Sequence, residues 1–89
     1  MVEEKVEISN KLGLHARAAA KLSHLANSFQ SDIFLIYNGD RVNAKSLLGI
    51  LTLAASVGTT ITISAAGKDE KEAVATLADL FQRKFDEGN

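Results

Sequence analysis

Ile33-Phe34-Leu35-Ile36-Tyr37-Asn38-Gly39-Asp40-Arg41-Val42-Asn43-Ala44 is the stretch on which the fold turns. Ile33 to Tyr37 is too short an apolar run for a helix and rich in strand formers, so it reads as a strand. Asn38-Gly39 is the strongest short hairpin signal, because both residues tolerate positive φ. Arg41 to Ala44 is then the return strand. An antiparallel hairpin therefore lies at the middle of the chain, and the flanking segments must cover it.

Upstream, Val6 and Ile8 alternate with Lys5, Glu7 and Ser9, the pattern of a short half-buried strand. Asn10 to Leu14 reads as a loop. From Ala16 to about Asn27 the residues are strong helix formers, among them Ala18, Ala19, Ala20 and Lys21. Ala18, Leu22, Leu25 and Phe29 recur at helical spacing and give that helix one apolar stripe.

Downstream, Ser46 is placed to cap a short helix through Leu47, Leu48, Ile50 and Leu51. Thr59 to Ala65 alternates again, with Ile61, Ile63 and Ala65 on one face, and Gly67 breaks it. Asp69 followed by Glu72 reads as a capping-box-like start for a last helix. Val74, Leu77, Ala78, Phe81 and Phe85 form its expected buried stripe. The order is βαββαβα. Because each helix has a single apolar stripe, the economical packing is an α+β open-faced sandwich. It has a four-stranded, mainly antiparallel sheet covered on one face by three helices.

The chain has 89 residues, which predicts one domain over 1–89 with little room for a deep cleft. Hydrophobic residues are 46% and charged residues 24%, a composition that folds. A net charge of −1 gives no basic field for nucleic acid. With no cysteine, disulfides and thiolate metal sites are excluded, so packing alone must stabilise the domain. Met1-Val2-Glu3-Glu4-Lys5 carries no apolar signal region, and no stretch approaches the roughly 18 apolar residues of a membrane span. The expected location is therefore the cytoplasm, without membrane insertion.

Gly13-Leu14-His15-Ala16-Arg17 carries the chemistry. It sets an imidazole and a guanidinium beside a predicted helix start, where unpaired N–H groups and a partial positive charge suit a phosphate. A neutral imidazole nitrogen is a nucleophile, and a positive helix end favours the neutral ring. The N–H groups of the helix start at Ala16 and Ala18, together with the always-charged Arg17, would stabilise a phosphoryl group on His15. The bland alternative makes His15 a polar residue near a helix cap. Metal binding is weaker, since His24 has no carboxylate or thiolate companion at useful spacing and reads as a solvated helix residue. No metal or cofactor is expected.

The short helix after Ser46 is apolar on too many sides, since Leu47, Leu48, Ile50 and Leu51 cannot all face one sheet. An exposed patch for partners explains the excess. Ser46 itself needs no role beyond its cap.

The chain resembles HPr, the histidine-containing phosphocarrier family of the bacterial phosphoenolpyruvate-dependent phosphotransferase system. The resemblance spans essentially the whole chain. It rests on Gly13-Leu14-His15-Ala16-Arg17, on Ala44-Lys45-Ser46-Leu47-Leu48-Gly49 and on Gly58-Thr59-Thr60-Ile61-Thr62-Ile63. It implies a stoichiometric carrier, not a substrate-converting enzyme. The family's first enzyme would phosphorylate His15 on Nδ1, with Arg17 assisting, and a sugar-specific or regulatory acceptor would take the group on. It also implies that Leu47, Leu48 and Leu51 dock partners, with Ile50 inward and Arg17 and Lys45 adding positive charge at the rim. Ser46 would be the target of an HPr kinase/phosphatase. The expected state is a monomer. Two positions depart from the family pattern: Ala18 replaces its usual proline, and Ala54 stands where many relatives have glycine. The competing function is a regulatory binding module controlled by phosphorylation at Ser46 or His15. A purely structural domain would leave His15, Arg17 and the apolar helix as coincidence.

Overall fold

The alternation of each strand decides which of its faces is covered, and the register keeps those faces aligned. The structure is a computed structural model that describes residues 1–87. Its elements are β1 (Val2–Glu7), α1 (Ala16–Ala26), β2 (Asp32–Tyr37), β3 (Asp40–Asn43), α2 (Leu47–Thr52), β4 (Thr60–Ala66) and α3 (Glu70–Gln82). The order is βαββαβα, as expected, and the strands lie β1-β4-β2-β3 with every pairing antiparallel.

Val6 pairs with Ile61, Leu35 with Ile63 and Ile33 with Ala65, so one apolar face runs across three strands. All six side chains are buried. A slip of one residue would turn this whole set outward, which is why the register is strongly specified. The helices close that face. α1 contributes Ala18, Ala19, Leu22 and Ala26, α2 contributes Ile50, and α3 contributes Val74, Leu77 and Phe81 among others. α3 lies over β1 and β4, while α2 packs against α1 and β3. On the open face the guanidinium of Arg41 sits 3.8 Å from the centre of the Phe34 ring, covering an aromatic that would otherwise meet water.

Local signals are mostly realised, with instructive exceptions. Asn38 and Gly39 have φ of 52° and 84°, and Tyr37 pairs with Asp40, giving the two-residue hairpin. The return strand begins at Asp40 and ends at Asn43, and Ala44 is buried just beyond it. Ser46 Oγ accepts the Gly49 N–H at 3.0 Å, the expected N-cap. After α2, Ala54 adopts a φ of 50°, a left-handed conformation that costs alanine about 1–2 kcal/mol and that glycine would adopt freely.

Two expectations for the last helix are corrected. Asp69 is the residue before α3, but its carboxylate does not cap it. It turns instead to the segment ahead of β2, accepting from Gln30 N–H (2.9 Å), Ser31 N–H (2.9 Å) and Ser31 Oγ (2.5 Å). No capping box forms with Glu72; instead Glu70 Oε1 accepts the Gly67 N–H, two residues ahead of the cap, at 3.0 Å. Phe85 is wholly buried as expected, yet it lies outside the helix. α3 stops at Gln82, and Lys84, Phe85 and Asp86 form a left-handed turn with φ of 57°, 56° and 60°.

The Asp69 contacts make a pH prediction. The Ser31 hydroxyl first, then the Gln30 N–H, lower its carboxyl from 3.8 to about 2. A depressed folded-state value means stability that is complete above the unfolded value and lost as the pH falls through the folded one. Urea unfolding should therefore show a loss between pH 3.8 and about 2 that is smaller in Asp69→Asn. Equal losses in the two proteins would contradict this.

Candidate functional site

Gly13 sets the geometry of the loop before α1. Its φ of 69° turns the chain, and Leu14 N–H then donates to Ala55 O at 3.0 Å. A Cβ on Gly13 would lie 2.7 Å from that same carbonyl oxygen, so the close approach requires glycine. Leu14 is buried, and the loop is thereby pinned to the segment that follows α2.

His15 is the N-cap residue of α1, with extended backbone (φ −75°, ψ 177°), and its side chain makes no cap hydrogen bond. The first intrahelical bond runs from Ala19 N–H to His15 O at 2.9 Å. The N–H groups of Ala16, Arg17 and Ala18 therefore precede the ladder and remain available to an anion. Ala18 is itself wholly buried, so its methyl packs in the core while its backbone faces the helix start. Alanine at this position, unlike a proline, keeps its backbone N–H.

His15, Arg17, Leu12, Lys21, Asp86 and Glu87 line one open cleft. Arg17 is exposed at its mouth and has no ion-pair partner among the described residues. His15 Nε2 is hydrogen-bonded to Glu87 Oε2. The other carboxylate oxygen accepts from Asn10 Nδ2 at 3.1 Å, and the same amide group donates to Gly13 O at 2.7 Å. Burial alone would push the Glu87 carboxyl up. The hydrogen bonds from His15 and Asn10, with the charges of His15 and Lys21, outweigh it and hold the group below its usual range.

The left-handed turn brings Glu87 to the histidine. Phe85 anchors it in the core, edge-on to Phe81 with ring centres 5.0 Å apart. Lys21 Nζ donates to Phe85 O at 2.6 Å, tying the turn to α1. Sequence reasoning singled out neither Asn10 nor Glu87. A buried-looking Asn before a glycine turn was the only local signal for the former, and the latter had none.

Beside this cleft, α2 presents Leu48 at 75% exposure and Leu47 at 39%, while Ile50 is buried. Leu51 is half-buried and packs against the core, so it stands less free than expected. Lys45 is also less free: its Nζ donates to Phe29 O at 2.8 Å. Leu12 and Val57 are exposed apolar residues not anticipated from the sequence. His24 is exposed on α1, away from any cluster. Among the described residues no group of three His, Asp or Glu side chains is placed to hold a metal ion, and no helix is long and apolar enough to cross a membrane.

A histidine at a helix start, an exposed arginine beside it and a small antiparallel α+β scaffold make an arrangement on which a phosphate could settle, and comparison with known proteins points to one family. The family described as PTS HPr component phosphorylation site matches residues 2–83. The chain is 47% identical over 88 residues to the phosphocarrier protein HPr of Cupriavidus necator, covering 99% of each chain. It is 49% identical over 84 residues to the HPr-like protein Crh of Bacillus subtilis, covering 94% of this chain and 99% of that one. A crystal structure of HPr from Thermoanaerobacter tengcongensis superposes with a TM-score of 0.96 at 45% identity, covering all of both chains. The chain belongs to the HPr family of phosphocarrier proteins.

Proposed function

We propose that this chain is a phosphoryl carrier of the phosphotransferase system, accepting the group on His15 and passing it to another protein. The observation that carries this reading is the position of His15 as the N-cap of α1 with its side chain uncommitted to capping. A phosphoryl group on the ring would meet the N–H groups of Ala16, Arg17 and Ala18 and the positive end of the helix dipole. Arg17, exposed at the cleft mouth and without an ion-pair partner among the described residues, supplies a planar cation suited to phosphate oxygens. The whole chain, 1–89, works as a single monomeric carrier domain in the cytoplasm. The cleft is shallow because donor and acceptor proteins bring the rest of the reaction surface.

Leu47 and Leu48, with the half-buried Leu51 behind them, form the apolar dock on which the system's first enzyme and the sugar-specific or regulatory acceptors settle. The charge of Arg17 at its edge speeds encounter with acidic partner surfaces. Regulation at Ser46 by an HPr kinase/phosphatase is a second reading. It is favoured by the partial exposure of Ser46 at the border of the leucine patch and by the likeness to Crh.

Incubation with phosphoenolpyruvate and the system's first enzyme tests the carrier reading. The expected result is one acid-labile phosphoryl group per chain, lost entirely in His15→Ala. No transfer from a competent enzyme, or transfer retained in the variant, would reject it. An acid-stable phosphate formed with ATP and the kinase, and lost in Ser46→Ala, would support the regulatory reading.

A further inference from the structure

We infer that Glu87 is a positioning residue for His15, holding the ring with its proton on Nε2 so that Nδ1 offers its lone pair to the phosphoryl group. The inference rests on the carrier reading and extends it to a residue at the far end of the chain.

An ionised carboxylate can only accept hydrogen bonds, so the contact between Glu87 Oε2 and His15 Nε2 requires the hydrogen on Nε2. In a neutral imidazole the other nitrogen is then bare and nucleophilic. Glu87 is itself held in place. Its side chain is 8% exposed, Oε1 accepts from the wholly buried Asn10 at 3.1 Å, and its N–H donates to Lys84 O at 3.0 Å. The turn before it is fixed by Phe85 in the core and by Lys21 on the Phe85 carbonyl. Asn10, Glu87 and His15 thus form a chain in which each group orients the next, running from the core to the reactive ring. Among the described residues, Arg17, Lys21 and Asp86 are the other charged groups around the cleft. None of them is hydrogen-bonded to Nε2.

The contact has a role in both directions of transfer. As Nδ1 bonds to phosphorus, the bond from phosphorus to the donor breaks and its electron pair leaves with the donor. The ring keeps its Nε2–H and becomes cationic, and the Glu87 carboxylate stabilises that charge. On transfer to an acceptor nucleophile, the N–P electron pair returns to Nδ1 and restores the neutral ring with the same Nε2–H. Neither step needs a proton from solvent.

The test compares the wild-type chain with Glu87→Ala and Glu87→Gln, each labelled with ¹⁵N in its histidine rings. The wild type should show an exchange-protected Nε2–H resonance of His15, lost in Glu87→Ala. Phosphoryl transfer from the first enzyme should fall about tenfold in kcat with KM unchanged, since ring orientation and the stabilisation of the developing ring charge are lost while docking of the enzyme is untouched. Glu87→Gln, which keeps an acceptor but loses the charge, should fall between. A purely structural role for Glu87 would leave the kcat of the folded variants intact. That result, or the absence of the protected resonance in the wild type, overturns the inference. Failure of the carrier reading has a different signature: the resonance is present, but the wild type accepts no phosphoryl group at all.

Discussion

Phe85→Ala is expected to destabilise the protein by about 3–5 kcal/mol, read as a fall in the urea midpoint. The ring is wholly buried and meets Phe81 edge-on at 64°. Removing it leaves a cavity beside Phe81, and the aromatic pair is lost with it. The loss would be a large share of the 5–15 kcal/mol typical of a whole domain. The substitution also tests how the site is built, because Phe85 anchors the left-handed turn that delivers Glu87. A cost below about 1.5 kcal/mol would mean that the turn is not seated in the core as described.

Gly13→Ala carries the second large effect. Alanine at a φ of 69° costs about 1–2 kcal/mol for the left-handed backbone alone. Its methyl would also stand 2.7 Å from Ala55 O and 3.0 Å from Ser56 Cα, both backbone atoms that cannot rotate away. Displacing them adds about 1–3 kcal/mol, for a total of about 2–5. Gly39→Ala is the natural control. Gly39 has a comparable φ of 84° but nothing within 4 Å of the new Cβ, so it should show the backbone cost only. If the two variants were equally destabilised, the contact between the loop and the segment after α2 would not be the constraint proposed. Because Leu14 and His15 follow Gly13 directly, the same displacement moves the ring away from its helix start.

The sequence made the sheet legible because period-two alternation and Asn38-Gly39 are local signals that the register simply obeys. The Ser46 cap was legible for the same reason, since donor and acceptor lie three residues apart. Asp69 shows where local reading stops. A capping rule weighed its neighbours along the chain, whereas the Ser31 and Gln30 N–H groups compete from 38 and 39 residues away. Phe85 was correctly expected in the core because it sits four residues after Phe81. The route was wrong, since neither glycine nor proline marks the left-handed turn that replaces the last helical turn. At the site, Gly13, His15 and Arg17 were readable as a motif. Asn10 and Glu87 were not, because their partnership spans 77 residues and exists only once α3 has folded back over β1.

Such distant assembly makes the ring nitrogen the point where fold and function meet. The most direct measurement is ³¹P–¹⁵N coupling in the ring-labelled chain after phosphorylation with phosphoenolpyruvate and the first enzyme. The account predicts coupling to Nδ1 of His15, with Nε2 still protonated against Glu87. Coupling to Nε2, or phosphate on His24 or Ser46 in place of His15, would contradict it.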